Sequence, residues 1–124
     1  MSAVITPTVA SVFKAAAERL VVNGHYVGDF VPNALSVPDR VLPMRDRPLS
    51  VAAAIQLAAT GDPLGSSAQS RLALWLLADL VAEVKVAEDD EFDALNQLST
   101  WEDLVPDGAV LATLRDLADG LVAA

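Results

Sequence analysis

The sequence predicts an all-α protein, a compact bundle of four or five helices, and three observations support this. Apolar residues recur at three- and four-residue spacings in several separate stretches, as they do on one face of a helix. Residues that start or stop helices bound these stretches, and alanine, whose small side chain lets helices approach closely, occurs 22 times. A length of 124 residues suits one folded unit, so we assign residues 1–124 to a single helical domain.

The first helix is predicted between Thr6 and Gly24. Thr6 is a suitable N-cap, Pro7 suits the first helical position, and Gly24 can adopt the left-handed conformation that stops a helix. Between these ends, one apolar stripe is expected to face the core, formed by Val9, Val12, Phe13, Ala16, Leu20 and Val21.

A long irregular loop is predicted from His25 to Arg47, between the first and second helices. Pro32, Pro38 and Pro43 disfavour helix there, and the apolar pieces Tyr26-Val27 and Val41-Leu42 allow a small hairpin. Long loops in compact domains are often functional, so this loop is a candidate ligand site. Its candidate residues are His25, Tyr26, Asp29, Arg40, Arg45 and Arg47.

The second helix is predicted from about Pro48 to Thr60, where Gly61-Asp62-Pro63 ends it. It contains almost no polar side chains, so we expect a central helix that is buried on most sides.

The third helix is predicted from Ser66 to about Val86. Ser66 and Gln69 have the spacing of a capping box. Its apolar face is expected to consist of leucines and a valine at four-residue spacing, namely Leu72, Leu76, Leu80 and Val84.

A short helix capped by Asp90 is predicted next, because Phe92, Leu95 and Leu98 recur at three-residue spacing. A turn is expected at residues 100–103, where Trp101 would close the end of the core and Asp103 would cap a backbone N–H. The last helix is expected to begin near Pro106-Asp107. Its inward residues are predicted to be Val110, Leu111, Leu114, Leu117, Ala118 and Leu121.

Charge is distributed unevenly along the chain. The net charge is −9, yet residues 1–78 carry a net +1 and residues 79–124 carry a net −10. Such asymmetry indicates either a well-solvated rim or a face that docks on a basic partner. The candidate partner-binding residues are Glu88, Asp89, Asp90, Glu91, Asp93, Glu102 and Asp103.

Several kinds of chemistry lack the residues that they need. The chain has no cysteine and a single histidine, His25, which argues against a metal site and against most nucleophilic catalysis. No glycine-rich phosphate loop is present, and the run that starts at Asp89 lacks the glycine and glutamate of a calcium loop. We therefore predict no cofactor, no metal and no enzymatic activity.

Three segments of the chain form a recognisable set: Asn23-Gly24-His25-Tyr26-Val27-Gly28, the alanine-rich 50–55, and Trp101-Glu102-Asp103 before a leucine-rich last helix. Together they resemble a family of small uncharacterised actinobacterial and actinophage proteins. In that family an aromatic residue often follows the first glycine, where this chain has His25, and asparagine stands where this chain has Glu102. The resemblance implies a helical fold and a bacterial or phage origin.

The favoured hypothesis is a small acidic regulator or inhibitor, cytoplasmic, that binds a basic protein surface through its C-terminal third. One alternative is an inhibitor that mimics DNA, in which carboxylates stand in for phosphates on a nucleic-acid-binding protein. Another is a small-ligand binder or enzyme that uses the 25–47 loop, and a third is a homo-oligomer that associates through alanine-rich faces. The net negative charge argues against direct binding of nucleic acid, and no uncharged run is long enough to cross a membrane.

Overall fold

A computed structural model describes residues 8–26, 48–81 and 91–123 of the chain. Within these ranges the chain forms five helices: α1 (Val9–Asn23), α2 (Val51–Thr60), α3 (Ala68–Val81), α4 (Glu91–Leu104) and α5 (Asp107–Ala123). The only β-type pairing in the described part of the chain is an isolated parallel bridge between His25 and Leu49. The predicted all-α bundle is therefore confirmed. The hairpin predicted from Tyr26-Val27 and Val41-Leu42 lies outside the described residues except for Tyr26.

Helix α1 begins two residues later than predicted and ends where predicted. The Oγ1 atom of Thr8 accepts a hydrogen bond from the backbone N–H of Ser11 at 3.1 Å, so Thr8 is the N-cap. Both Thr6 and Thr8 are suitable cap residues, and the sequence does not distinguish them. At the other end the N–H of Gly24 donates to the carbonyl of Leu20 at 3.0 Å. Gly24 has φ 95° and ψ 152°, so its φ is positive but its backbone is not in the predicted left-handed helical conformation.

Helix α2 lies at the centre of the core, as predicted. Every residue from Val51 to Leu57 is buried, and the helix contacts α1, α3 and α4. Its buried polar side chain, Gln56, donates a hydrogen bond to the carbonyl of Pro63. The helix begins three residues after Pro48 because the Oγ of Ser50 accepts from the N–H of Ala53 at 3.1 Å.

Helix α3 differs from its prediction in both its start and its buried face. Ser67 and Ser70 form the reciprocal side chain to backbone capping pair, at 3.1 and 2.8 Å, one residue after the predicted one. Leu72 and Leu80 are 42% and 59% exposed, so the predicted apolar face is wrong at these two positions. Leu76 is half-buried and packs against the core, and Val84 lies outside the described ranges. The buried residues are small side chains and two other leucines, namely Ser70, Ala73, Leu74, Leu77 and Ala78. Residues 82–86, predicted to continue the helix, lie outside the described ranges.

Helices α4 and α5 meet at a short corner that contains Val105 and Pro106. Helix α4 runs without interruption to Leu104, so the turn predicted at residues 100–103 is wrong, because those residues form the last helical turn. Helix α5 begins at Asp107 as predicted and packs along α1, while α4 packs against α3. Of the predicted inward residues of α5, Val110, Leu114 and Ala118 are buried and Leu121 is exposed.

No helix in the described ranges is both long and apolar enough to span a bilayer.

Candidate functional site

His25 is held in place by backbone hydrogen bonds on both sides of it. The N–H of Tyr26 donates to the carbonyl of Leu49 at 2.8 Å, and the N–H of Leu49 donates to the carbonyl of Gly24 at 2.9 Å. These two bonds form the bridge that joins the residues after α1 to the residues before α2. The side chain of His25 is only 5% exposed, so the imidazole is buried at this end of the bundle.

Both ring nitrogens of His25 contact carboxylates. Nδ1 lies 2.7 Å from Oδ1 of Asp107, the first residue of α5, and Nε2 lies 3.3 Å from Oε2 of Glu102, in the last turn of α4. These partners are 82 and 77 residues away along the chain. The histidine therefore joins the end of α1 to the α4–α5 corner. We call His25, Glu102 and Asp107 the His25 cluster.

Glu102 connects the cluster to α2. Its side chain is 3% exposed, and its Oε1 accepts a hydrogen bond from the backbone N–H of Val51 at 2.9 Å. Val51 is the first residue of α2, where backbone N–H groups have no partner within the helix and the helix dipole favours negative charge. One buried carboxylate therefore caps α2 and pairs with His25. The capping role that the sequence predicts for the neighbouring Asp103 is wrong, because Asp103 lies within the last turn of α4.

The surroundings of His25 favour its charged form. The hydrogen bond with Glu102 is the largest influence that raises the pKa of His25, and burial of the ring opposes it. The hydrogen bond with Asp107 and the negative charges of both carboxylates raise the pKa further, and the net result is a pKa above the ordinary value of 6.5. An imidazolium can donate from both nitrogens, which is the arrangement that two flanking carboxylates require.

This geometry limits what His25 can do chemically. A general base needs a ring nitrogen that faces the reacting group, whereas both nitrogens of His25 are within hydrogen-bonding distance of carboxylates. Within the described ranges, no group of three or more His, Asp or Glu side chains is arranged to hold a metal ion. The His25 cluster is thus an ionic junction among four helices, buried at His25 and Glu102 and exposed at Asp107.

The candidate ligand residues of the 25–47 loop are only partly described. His25 and Tyr26 lie within the described ranges, and Tyr26 is half-buried. The remaining predicted residues lie outside them, namely Asp29, Arg40, Arg45 and Arg47.

The predicted acidic residues are only partly described by the structure. Glu88, Asp89 and Asp90 lie outside the described ranges, and Glu91 and Asp93 are in the first turn of α4. Asp103 is exposed, as a docking residue must be. Glu102 is buried, so its assignment to the partner-binding surface is wrong. Its carboxylate is occupied by His25 and Val51.

Asp107 is a partner of His25 that the sequence does not predict. Its position at the start of the last helix is predicted correctly, but its contact with the histidine is not. The one available signal was that a lone histidine directly after a helix end needs partners for its ring nitrogens.

A separate open groove of about 650 Å³ lies between α1 and α5, toward the beginning of α1. Its lining includes the charged side chains of Lys14, Glu18, Arg115 and Asp119, and does not include His25. Thr8, just before α1, lines this groove together with Asp119, which is near the end of α5. His25, just after α1, contacts Asp107 at the beginning of α5. Helices α1 and α5 are therefore antiparallel.

A family model described as "Family of unknown function (DUF6197)" matches residues 4–120. No curated protein and no solved structure matches the chain.

Proposed function

The chain belongs to the DUF6197 family, a family of unknown function, and we propose that it is a non-enzymatic protein that binds a basic partner through its acidic C-terminal third. The charge of this third is the observation that carries the proposal. Residues 79–124 hold 12 of the 17 acidic side chains and only two basic ones, Lys85 and Arg115. Charge of one sign on one part of a surface steers association with a partner of opposite charge.

The exposure of individual carboxylates supports this proposal. Five acidic residues of the C-terminal third are exposed in the described ranges: Asp79, Asp103, Asp107, Asp116 and Asp119. Among these five, only Asp107 is paired with a basic side chain of the described residues, and its partner is His25. The other four form no ion pair with a basic side chain of the described residues, which favours their availability to a partner.

Exposed apolar area adjoins part of this acidic surface. Leu104 follows Asp103 at the α4–α5 corner and is 78% exposed, the largest value among the exposed apolar residues of the described ranges. An apolar contact flanked by charges is typical of an interface, where burial supplies affinity and charge supplies specificity.

The non-enzymatic character of the proposal rests on His25. As the only histidine, it is the natural candidate for proton transfer at neutral pH, and its two nitrogens are engaged by Asp107 and Glu102. Association through alanine-rich faces has little support from α2, because Ala52, Ala53 and Ala54 are already buried inside the chain. An actinobacterial or phage origin and a cytoplasmic location are part of the proposal, and they rest on the sequence alone.

The experiment compares two double variants that change the net charge equally. Asp103→Asn with Asp116→Asn removes two exposed negative charges from the C-terminal third, and Glu18→Gln with Asp62→Asn removes two from the nearly neutral body. A partner is captured from a native lysate at low salt, identified and purified, and its Kd is measured for each protein. We expect the C-terminal variant to weaken binding about tenfold and the body variant to leave it unchanged.

Salt supplies the second arm of the experiment. Raising the ionic strength from roughly 0.05 M to 0.3 M shortens the screening length, so binding by the wild type is expected to weaken steeply. Equal Kd values for the two double variants, or binding that does not depend on salt, would contradict the proposal.

A further inference from the structure

We propose that His25 is a proton-dependent latch between the end of α1 and the beginning of α5, in which Asp107 is the contact that opens and Glu102 is the contact that stays. In the closed state the imidazolium donates to both carboxylates, at 2.7 and 3.3 Å. Loss of one proton leaves a neutral ring with a single N–H, which can serve only one carboxylate. The lone pair of the other nitrogen then faces an anion, and that contact breaks.

The difference in burial decides which carboxylate leaves. The side chain of Asp107 is 71% exposed, so after release it is solvated by water. The side chain of Glu102 is 3% exposed and stays bound to the N–H of Val51, so losing its histidine would leave a buried charge with weaker compensation. The remaining N–H of the neutral ring is therefore expected on Nε2, facing Glu102, although the contact of Nδ1 with Asp107 is the shorter one.

Two helices, α4 and α5, supply the charged groups that face His25 among the described residues. These are Glu102 from α4 and Asp107 from α5, and α2 contributes the backbone N–H of Val51 through Glu102. The two carboxylates are acceptors only, so neither can donate the hydrogen bond that is lost when the ring gives up its proton. The ring's pKa is raised by these neighbours, so the latch is closed below the ordinary histidine pKa and opens as the pH rises through the higher value.

Opening has a local consequence at the α4–α5 corner. The first turn of α5 is bonded to the corner through the N–H groups of Ala109 and Val110, which both donate to the carbonyl of Pro106 at 3.0 and 3.3 Å. The contact between Asp107 and His25 ties this turn to the end of α1. When it breaks, the turn loses that tie, and its backbone hydrogen bonds are expected to open more often. This inference does not depend on whether the acidic surface binds a partner.

The test uses the full chain, in which His25 is the only histidine, so its ring signals are unambiguous. The ¹⁵N shifts of the ring, followed by NMR across its titration, report the pKa and, above it, the tautomer. We expect the Nε2–H tautomer. Amide hydrogen exchange of Val110, expressed as a protection factor, is measured below and above the same pKa, and we expect it to fall about tenfold as the ring is neutralised.

Two variants separate the latch from a general effect of pH. Asp107→Ala removes the opening contact, so we expect a lower His25 pKa and a Val110 protection factor that no longer changes with His25 titration. Asp116→Ala removes an exposed acid of the same helix, nine residues and roughly 13 Å further along, and is expected to behave like the wild type. If Asp107→Ala does not fold, the ring tautomer of the wild type still shows which carboxylate the neutral ring keeps, and so still tests the proposal.

Three results would overturn the proposal. The first is an Nδ1–H tautomer, because the neutral ring would then stay bonded to Asp107 and release Glu102. The second is a Val110 protection factor that does not respond to the titration of His25, and the third is an unchanged His25 pKa in Asp107→Ala.

Discussion

Glu102 on α4 accepts a hydrogen bond at 2.9 Å from the backbone N–H of Val51, the first residue of α2. The same carboxylate lies 3.3 Å from His25 through its other oxygen. A buried acid therefore satisfies the start of the most buried helix and is itself compensated by a histidine from another part of the chain. This relationship makes Glu102 a structural residue of the fold.

Replacing Glu102 is expected to destabilise the protein strongly. Glu102→Ala leaves the N–H of Val51 without its acceptor and His25 without its buried counter-ion, at a cost of roughly 3 to 5 kcal/mol. Glu102→Gln keeps an acceptor for Val51 and should cost less. The free energy of unfolding in urea measures both, with Asp103→Ala, an exposed acidic neighbour, as the control. Equal stability of Glu102→Ala and Asp103→Ala would show that the buried contacts contribute nothing.

Stability is expected to fall as the pH rises above neutrality. The pKa of His25 is raised in the folded state, so its contribution is fully present below the unfolded value of 6.5 and is lost as the pH rises through the folded value. The free energy of unfolding, measured between about pH 6 and about pH 9, should decline in the wild type. The variant His25→Gln should lack this decline, and an identical decline in both proteins would refute the assignment to His25.

Enlarging a small residue of α2 is expected to disrupt the core. Ala54 is fully buried in a helix that contacts three others, so the extra atoms of Ala54→Leu have no space. Overpacking of this kind costs roughly 1 to 3 kcal/mol, and the melting temperature should fall accordingly. Ala112→Leu makes the same change at an exposed position of α5 and should alter stability by no more than about 0.5 kcal/mol. A decrease of the same size in both variants would contradict a packing effect.

Two glycines are expected to respond to alanine in opposite directions. Gly24 has φ 95° and ψ 152°, a conformation almost restricted to glycine, so Gly24→Ala should destabilise by about 1 to 3 kcal/mol. Gly120 lies within α5 with open space where a Cβ would be, so Gly120→Ala should stabilise by roughly 0.4 to 1 kcal/mol. Thermal unfolding of the two variants checks both signs, and a stabilising Gly24→Ala would count against the strained backbone.

Helix ends are predicted correctly where a single nearby residue suits the end of the helix. Gly24 ends α1 and Asp107 begins α5 as expected, because a positive φ and a helix start depend on nearby residues. Cap positions were less certain wherever two suitable residues lie close together, as with Thr6 and Thr8 or with Ser66 and Ser67. Either residue of such a pair satisfies the local rule, and packing of the rest of the helix decides between them.

The buried face of α3 and the His25 cluster depend on the fold as a whole. Leucines lie on more than one face of α3, and the inward face is the one with Ala73 and Ala78, where small side chains allow close approach to neighbouring helices. The contacts of His25 with Glu102 and Asp107 span 77 and 82 residues, so no local pattern signals them. The sequence pointed to His25 as a residue of interest, and only the packing of four helices supplied its partners.

The bridge between His25 and Leu49 also determines how the chain around it can vary. Its two backbone hydrogen bonds join Tyr26 to Leu49 and Leu49 to Gly24, so the chain that connects α1 to α2 has its two ends held next to each other. The entropic cost of closing such a loop grows only with the logarithm of its length, by about 0.6 kcal/mol for each doubling. The connection between α1 and α2 is thus expected to tolerate changes in length, because the bridge keeps its two ends together.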